Sequence, residues 1–290
     1  MMARLLVVHN TFAFAGGADI VALHTIGALA EDHDVAVLTM APVDLRQRAE
    51  VLGVEASVEG VPVHTPHWGP VVTRGLTAVS ERFGGQSALQ SALIRRGRPG
   101  LYRAADLVVS TTNELGLDGP SVQYIHAPQF PSPGIAGLDR SVLTPLYRRI
   151  AAVSAGGFGD ARLLANSAWT ADRVAAIYGR RPDVLAPPVT PMNCDAAEAG
   201  RTPGVILVGR IAPDKRVLEA IEAVDAVVDA RGPIPLHIIG TAAPMYRRYR
   251  DAVLAAAGPR SPVQGPLDSG PAHLHHPPCG HTIRPGLYTL

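Results

Sequence analysis

The chain has 290 residues, of which 47% are hydrophobic, and its 26 lysines and arginines nearly balance 25 aspartates and glutamates. This balance excludes a global electrostatic field that would recruit nucleic acid or coat an anionic membrane, so a charged ligand must be bound by local groups. No apolar run approaches the roughly 20 residues of a membrane-spanning helix, and two lone cysteines are typical of a reducing cytoplasm. We therefore expect a cytoplasmic protein and leave open a peripheral contact with the cytoplasmic face of the membrane.

The first predicted elements are a strand, a glycine-containing turn, a helix and a second strand. Residues 4–9 are an apolar run typical of a parallel strand that is covered on both faces. Gly16 and Gly17 follow, residues 18–31 place apolar side chains at helical spacing, and residues 34–40 return to a short strand. This order predicts a βαβ unit with a right-handed crossover.

The same pattern continues up to residue 187. Further strands and helices are predicted over 61–64, part of 76–96, 106–110, 122–126, 141–153, 161–165, 168–178 and 183–185, of which 76–96, 141–153 and 168–178 are the helices. Together these elements predict a doubly wound domain over residues 1–187.

A second domain is predicted after a linker. Residues 188–203 are proline-containing, small and polar, without periodicity, which indicates a linker. A buried strand, a helix, a strand and a helix are then predicted over 204–210, 215–231, 236–239 and 246–257. The predicted fold class is therefore α/β, with two Rossmann-like doubly wound domains of which the second is partial, over 204–258.

The tail over residues 259–290 contains seven prolines and four histidines and has no apolar period. Such a composition cannot bury a core. The second domain is thereby left with two strands, where a complete doubly wound domain has about five or six. The tail histidines and Cys279 match no zinc-binding pattern, so no metal site is predicted.

Gly16 and Gly17 are the first candidate ligand-binding residues. They lie where the first strand gives way to a helix, where glycine lets a ligand approach the backbone and the helix N-terminus attracts an anion. The segment matches neither the dinucleotide-binding fingerprint nor a Walker loop. An ordinary tight turn explains the two glycines equally well.

His126 is the second candidate, because it ends a predicted strand and precedes Ala127-Pro128, which directs the chain into a loop. The carboxyl ends of strands line the ligand crevice of open α/β sheets, so we expect this imidazole to meet a substrate hydroxyl or phosphate. His9 and His64 lie at similar places, and we favour a structural role for both.

Arg210 and Lys215 give the strongest local signal of ligand binding. Arg210 ends the strand that opens the second domain and Lys215 begins the following helix, so that two cations and a helix N-terminus would converge on a diphosphate. The alternative is a pair of solvated surface charges. For Ser167 we favour the role of N-cap of the helix over 168–178.

Several of these segments together resemble the GT-B glycosyltransferases of family 4. Residues 16–19, Gly-Gly-Ala-Asp, look like the family's Gly-Gly-Ala-Glu element. Residues 123–128, Gln-Tyr-Ile-His-Ala-Pro, are similar to its strand-end histidine motif, especially in lipid-linked oligosaccharide mannosyltransferases. The family's Asn-Ser, interdomain and donor-phosphate motifs are matched at 163–170, 187–189 and 208–215, and order and spacing agree from residue 1 to about residue 258.

The resemblance implies transfer of a hexose from a nucleoside-diphosphate sugar to a glycan or lipid-linked acceptor, with retention at the anomeric carbon and without a bound metal or cofactor. The motif around His126 favours mannose as the sugar. By position, the resemblance implies that Arg210 and Lys215 neutralise the leaving diphosphate, that Gly16 and Gly17 lie beneath it, and that His126 is the catalytic residue near the transferred sugar. Asp19 and Ser167 become candidate contacts to donor or acceptor.

The sequence also departs from the family. Asp19 replaces the more usual glutamate, and the pair of glutamates that holds the donor sugar and ribose has no match. Residues 265–268 still resemble the family's next turn, and a break near Ser269 fits a change of reading frame. We therefore expect impaired activity. An inactive frame-disrupted homologue, a nucleotide-sugar-binding module and a nucleotide-sugar epimerase on the same architecture are the alternatives.

Overall fold

The computed structural model describes residues 2–12, 16–68, 75, 86–117, 119–130, 144–153, 158–189, 204–232, 234–240, 242 and 246–257. The chain divides into two compact units, Met1–Thr190 and Pro191–Leu290. The predicted tail over 259–290, the break near Ser269, both cysteines and most of the predicted linker lie outside the described residues. The domain bounds given above stay predictions.

The first unit is built on a parallel sheet of seven strands in the order β3-β2-β1-β4-β5-β6-β7. The strands are β1 Arg4–Val8, β2 Asp34–Leu38, β3 Val63–His64, β4 Leu107–Ser110, β5 Ser121–Ile125, β6 Arg162–Ala165 and β7 Asp183–Val184. All seven strands predicted for the first domain are confirmed; the central ones, such as β1, are buried apolar runs, whereas the short edge strands β3 and β7 are partly or fully exposed. The order reverses direction between β1 and β4, which is the crevice position of doubly wound sheets.

Both faces of β1 are covered, which explains its uninterrupted apolar sequence. Leu5 and Val7 belong to a buried cluster with side chains of helix α1 (Gly17–Ala30). Leu6 and Val8 point to the other face and belong to a cluster with side chains of helix α3 (Gln86–Gly97). A strand with alternating polar residues would leave one of these two clusters incomplete.

The other helices in the described part of the first unit are α2 Leu45–Leu52, α4 Pro99–Ala104, α5 Thr144–Ile150 and α6 Ala168–Tyr178. The sequence pattern predicted α6 at its observed bounds, but it did not predict α2 or α4. Helix α2 is short and has a standard cap at each end: at its start the Asp44 side chain accepts a hydrogen bond from Gln47 N–H at 3.0 Å, and at its end Gly53 follows with φ 62°. A search for caps would have found it.

The described part of the second unit contains a parallel pair of strands and two helices. Strands β8 (Val205–Val208) and β9 (Leu236–Ile239) pair in register, and helices α7 (Val217–Arg231) and α8 (Arg247–Ala257) pack with them around a small apolar cluster. The prediction that the strand over 204–210 is buried is wrong, since Ile206 and Val208 are 63% and 71% exposed. Within the described residues the cluster that includes both helices packs on the opposite face of this strand, through Leu207.

Candidate functional site

Four parallel strands of the first sheet end at a common edge that is lined with polar residues. His9 follows β1, Thr111 follows β4, His126 follows β5 and Asn166 follows β6. Because these strands are neighbours in the sheet, residues from four distant parts of the sequence come together. This edge is the candidate site of the first unit.

The backbone and the ring of His126 are both fixed by hydrogen bonds. Its N–H donates to Asn113 Oδ1 at 2.7 Å, and its Nε2 lies 3.2 Å from the carbonyl oxygen of Thr111. Its own carbonyl oxygen accepts bonds from Asn166 Nδ2 at 3.1 Å and from Thr170 Oγ1 at 3.3 Å. The imidazole therefore has a defined place at the carboxyl end of β5, where the sequence placed it.

The surroundings of His126 decide its protonation and its tautomer. Burial, with a smaller contribution from the nearby charge of His9, lowers the pKa of His126 to about 4, so the imidazole is neutral at physiological pH. Because a carbonyl oxygen only accepts, Nε2 carries the proton that it donates to Thr111. Nδ1 is then a lone-pair acceptor, and the described residues supply no partner for it. The sequence predicted that His126 meets either a hydroxyl or a phosphate of a substrate. A neutral ring whose Nδ1 accepts a hydrogen bond favours the hydroxyl.

His9 and Asp19 form a buried pair beside His126. His9 Nε2 lies 3.2 Å from Asp19 Oδ1, and His9 Nδ1 lies 3.0 Å from Thr111 Oγ1. Both side chains are about 95% buried, since their exposed fractions are 5% and 4%. This arrangement gives His9 the structural role that the sequence favoured and ties the first turn of α1 to the loop after β4. A contact between Asp19 and a ligand stays a prediction.

Gly16 and Gly17 lie at the N-terminus of α1 in ordinary backbone conformations. Gly16 is the N-cap with φ −111°, and its carbonyl oxygen accepts bonds from the N–H groups of Asp19 and Ile20. A methyl group at either glycine would meet no described atom within 4 Å. The fold of the described residues therefore does not itself require glycine at these positions, whereas a ligand that approaches the helix N-terminus would.

The change Gly17→Ala tests whether glycine is needed at this position by the fold or by a bound ligand. We expect the free energy of unfolding in urea to stay the same or to rise by up to about 1 kcal/mol, because the added methyl group meets no described atom and alanine restricts the unfolded chain more than glycine does. We expect the affinity for a nucleoside diphosphate, measured by calorimetry, to fall roughly tenfold or more, because the methyl group would stand between ligand and backbone. Unchanged affinity in a folded Gly17→Ala protein would contradict the assignment of this loop to ligand binding.

Ser167 is the N-cap of α6, as the sequence favoured. Its Oγ accepts a bond from Thr170 N–H at 3.2 Å, and the same oxygen lies 3.1 Å from Asn166 Oδ1 and from Thr170 Oγ1. These contacts use the hydroxyl within the protein. A direct contact of Ser167 with donor or acceptor stays a prediction.

In the second unit, Arg210 and Lys215 converge on a single carboxylate. Arg210 Nη2 lies 3.2 Å and Lys215 Nζ lies 3.6 Å from the same oxygen of Asp214. All three side chains are about half exposed, at 46%, 49% and 45% for Arg210, Lys215 and Asp214. Ion pairs this exposed are worth at most about 1 kcal/mol, so a phosphate could displace the carboxylate at little cost.

The position of Lys215 differs slightly from the prediction. The helix expected from residue 215 begins at Val217, and Lys215 instead ends a short 3-10 helix, Pro213–Lys215. Between them Arg216 adopts a left-handed conformation with φ 53°. Lys215 thus lies beside Asp214, which also contacts Arg210, two residues after the end of β8.

Asn113 and Glu114 belong to the site region and were missed by the sequence reasoning. Asn113 binds the backbone of His126, and Glu114, which is fully buried, accepts bonds from Gln129 N–H at 3.0 Å and from the Tyr178 hydroxyl at 2.9 Å. Burial raises the pKa of Glu114. The available signal was the run of four polar residues, 111–114, that follows the buried strand β4, but their partners lie farther along the sequence.

A cavity of about 600 Å³ lies elsewhere, at the amino ends of β5 and β6, with Ser121 and Arg162 in its lining. Ligands of open parallel sheets bind at the carboxyl ends, so we do not assign this cavity to the site. Within the described ranges, no group of three or more histidine, cysteine, aspartate or glutamate side chains is arranged to hold a metal ion. None of the helices in the described part of the chain has the length and apolar character that crossing a bilayer requires.

No protein-family model and no curated protein matches this sequence. Solved structures do match. Trehalose-6-phosphate synthase OtsA is 14% identical with a TM-score of 0.55, over 89% of this chain and 70% of that one. The α,α-trehalose-phosphate synthase (UDP-forming) from Burkholderia vietnamiensis is 18% identical with a TM-score of 0.52, over 90% of this chain and 69% of that one.

The chain has a GT-B-like fold. HepE from Anabaena, solved in complex with UDP and glucose, also matches, with 13% identity and a TM-score of 0.48 over 88% of this chain and 65% of that one. The chain thus spans about two thirds of the length of the structures that it matches. At these identities the likeness establishes the GT-B-like fold, and the activity of the chain is a matter for proposal.

Proposed function

We propose that this chain is a glycosyltransferase of family 4 that moves a hexose from a nucleoside-diphosphate sugar to a glycan or lipid-linked acceptor. The proposal includes retention at the anomeric carbon, and mannose as the hexose, on the strength of the sequence motif around His126. A lipid-linked acceptor would bring the protein to the cytoplasmic face of a membrane. The two trehalose-phosphate synthases that share the fold support the reaction class.

The observation that carries the proposal is the state of His126. A neutral imidazole at the carboxyl end of a strand, with Nε2 bound to a carbonyl and Nδ1 without a partner among the described residues, is an acceptor for one hydroxyl group. A sugar carries several hydroxyl groups, each of which can donate a hydrogen bond to such an acceptor. We assign His126 to a hydroxyl of the transferred hexose.

The charge of the leaving diphosphate requires separate groups. Arg210 and Lys215 are cations held close together by Asp214, and we assign them to the diphosphate. At Gly16 and Gly17 an added methyl group would meet none of the described atoms within 4 Å, and we assign this helix N-terminus to phosphate oxygens. Charge that develops on the diphosphate as its bond to the sugar breaks would be stabilised by such fixed groups, which lowers the barrier to transfer.

The first test uses the purified full chain with UDP-hexoses and GDP-hexoses. We expect saturable binding by calorimetry and, with a suitable acceptor, a glycoside whose anomeric configuration by NMR equals that of the donor. Binding without turnover would contradict transfer and identify a nucleotide-sugar-binding module. Conversion of one donor sugar into another without acceptor would identify an epimerase, and absence of binding would identify an inactive homologue.

The variant His126→Ala tests the assigned contact. We expect its kcat/KM for transfer to fall at least about tenfold, the equivalent of one lost hydrogen bond of roughly 1.4 kcal/mol. The matched control is His67, which is exposed and is not one of the residues of the candidate site. His67→Ala should retain the parent rate. Equal rates for His126→Ala and His67→Ala would contradict the role of His126.

A further inference from the structure

The side chain of Asn113 joins the loop after β4 to the loop after β5. Its Oδ1 accepts bonds from the backbone N–H groups of His126 at 2.7 Å and of Ala127 at 3.1 Å. Since a backbone N–H only donates, the atom between these two groups must be the amide oxygen. One side-chain oxygen thus fixes two consecutive peptide groups at the point where the chain leaves the sheet.

The backbone of Asn113 is held in the conformation that this contact needs. Its φ of 75° is left-handed, a region that is strained for most residues and that asparagine tolerates better than others. Its N–H donates to the Tyr124 carbonyl at 3.3 Å, and its carbonyl accepts from Ser110 Oγ at 3.0 Å. Both β4 and β5 therefore hold the turn in which Asn113 lies.

The neighbours of Asn113 bind the same loop. The Thr111 carbonyl accepts from His126 Nε2, and the Glu114 carboxyl accepts from Gln129 N–H. Residues 111–114, which we name the clamp, therefore hold residues 126–129 through backbone and side-chain atoms together. Within the clamp, Asn113 is the member that fixes the main chain of His126, and Thr111 is the member that fixes its ring.

We propose that Asn113 is a positioning residue which, by holding the backbone of His126 against the clamp, fixes the ring on the Thr111 carbonyl and so leaves Nδ1 open to the ligand. This inference rests on the proposed function in one respect, that His126 is the residue that meets the ligand. Without Asn113 Oδ1, two peptide N–H groups lose their acceptor, and the bond from Nε2 to Thr111 is no longer enforced. Both imidazole tautomers would then be populated.

The first test reads the tautomer directly and needs no ligand. The ¹⁵N chemical shifts of His126 are measured in the parent and in Asn113→Gly, which removes the acceptor but tolerates the left-handed backbone. We expect a single Nε2–H tautomer in the parent and a mixture in Asn113→Gly. We also expect the pKa of His126 to rise from about 4 toward its ordinary value as the ring leaves its buried place beside His9, Asp19 and Tyr124. An unchanged tautomer and pKa in the folded variant would overturn the proposal.

The variant Asn113→Asp decides the case if Asn113→Gly does not fold. It keeps an oxygen at the position of Oδ1, so we expect the Nε2–H tautomer to persist, whereas loss of that tautomer would overturn the proposal. Only the tautomer is compared in this variant, because the added carboxylate itself raises the pKa of a nearby imidazole.

A double-mutant cycle then links the tautomer to catalysis. If Asn113 acts through His126, transfer by the double variant Asn113→Gly/His126→Ala should equal transfer by His126→Ala within about twofold, since the second change has nothing left to disturb. Independent, multiplicative losses would overturn the positioning role. Failure of the parent to bind or turn over any nucleotide sugar would sink the proposed function alone, because the NMR result does not depend on a ligand.

Discussion

Replacing both Arg210 and Lys215 by alanine is expected to lower the affinity of the chain for a nucleoside-diphosphate sugar by at least about 100-fold. Charge-assisted hydrogen bonds contribute roughly 1.5–3 kcal/mol each, so the loss of two exceeds the ~2.7 kcal/mol that corresponds to a factor of 100. In the free protein both cations form ion pairs with Asp214, which keeps them close together. These pairs are half exposed and therefore weak, so both cations can still bind a phosphate. Calorimetric titration with UDP and GDP measures the effect.

Two matched variants show whether the loss belongs to this site. Arg248 is exposed on α8 in the same unit, and Arg248→Ala removes a charge elsewhere, so it should bind as the parent does. Asp214→Asn removes the competing carboxylate while both cations remain, so it should bind more tightly than the parent. Equal losses in the double variant and in Arg248→Ala would show a general charge effect and contradict the assignment of Arg210 and Lys215 to the diphosphate.

The second large effect is expected for Glu114→Ala, which should lower the free energy of unfolding by about 3–5 kcal/mol. Alanine leaves the Gln129 N–H and the Tyr178 hydroxyl without their acceptor in the interior, and each unsatisfied buried donor costs about 1–3 kcal/mol. The empty volume of the carboxyl group adds to the loss. Urea unfolding measures it, and Glu50→Ala, at an exposed position of α2, is the control that should change by less than about 0.5 kcal/mol.

The pH dependence of stability tests the state of Glu114 independently. Burial raises the pKa of Glu114 above that of the unfolded chain, so its protonated form favours the folded state. This contribution is fully present below the unfolded pKa of about 4.3 and is lost as the pH rises through the folded pKa. Glu114→Gln resembles the protonated acid and does not titrate. As the pH rises from the unfolded pKa to the folded pKa of Glu114, its free energy of unfolding should therefore fall less than that of the parent. An identical pH profile for both proteins would contradict the raised pKa.

The strands of the first unit could be predicted from the sequence because a doubly covered parallel sheet imposes a local signal. Apolar runs such as residues 4–9 arise because the side chains on both faces of such a strand are buried. The short helix α2 was missed because its eight residues make only about two turns, so the helical spacing of Leu45, Ala49 and Leu52 is too short a repeat to stand out, and its other signals are the caps Asp44 and Gly53. The exposure of Ile206 was missed because an apolar strand sequence does not show which face of the strand is covered by helices.

The sequence by itself placed His126 at the end of a strand, Gly16 and Gly17 at a helix N-terminus and Arg210 and Lys215 in one loop, because each statement depends on residues within a few positions. The tertiary structure alone decided what these residues can do. The tautomer of His126 depends on Thr111 and its backbone on Asn113, which lie 15 and 13 positions away on the loop after the neighbouring strand. Hydrogen bonds between loops of adjacent strands leave no periodic trace in a sequence, because either partner alone is an ordinary polar residue.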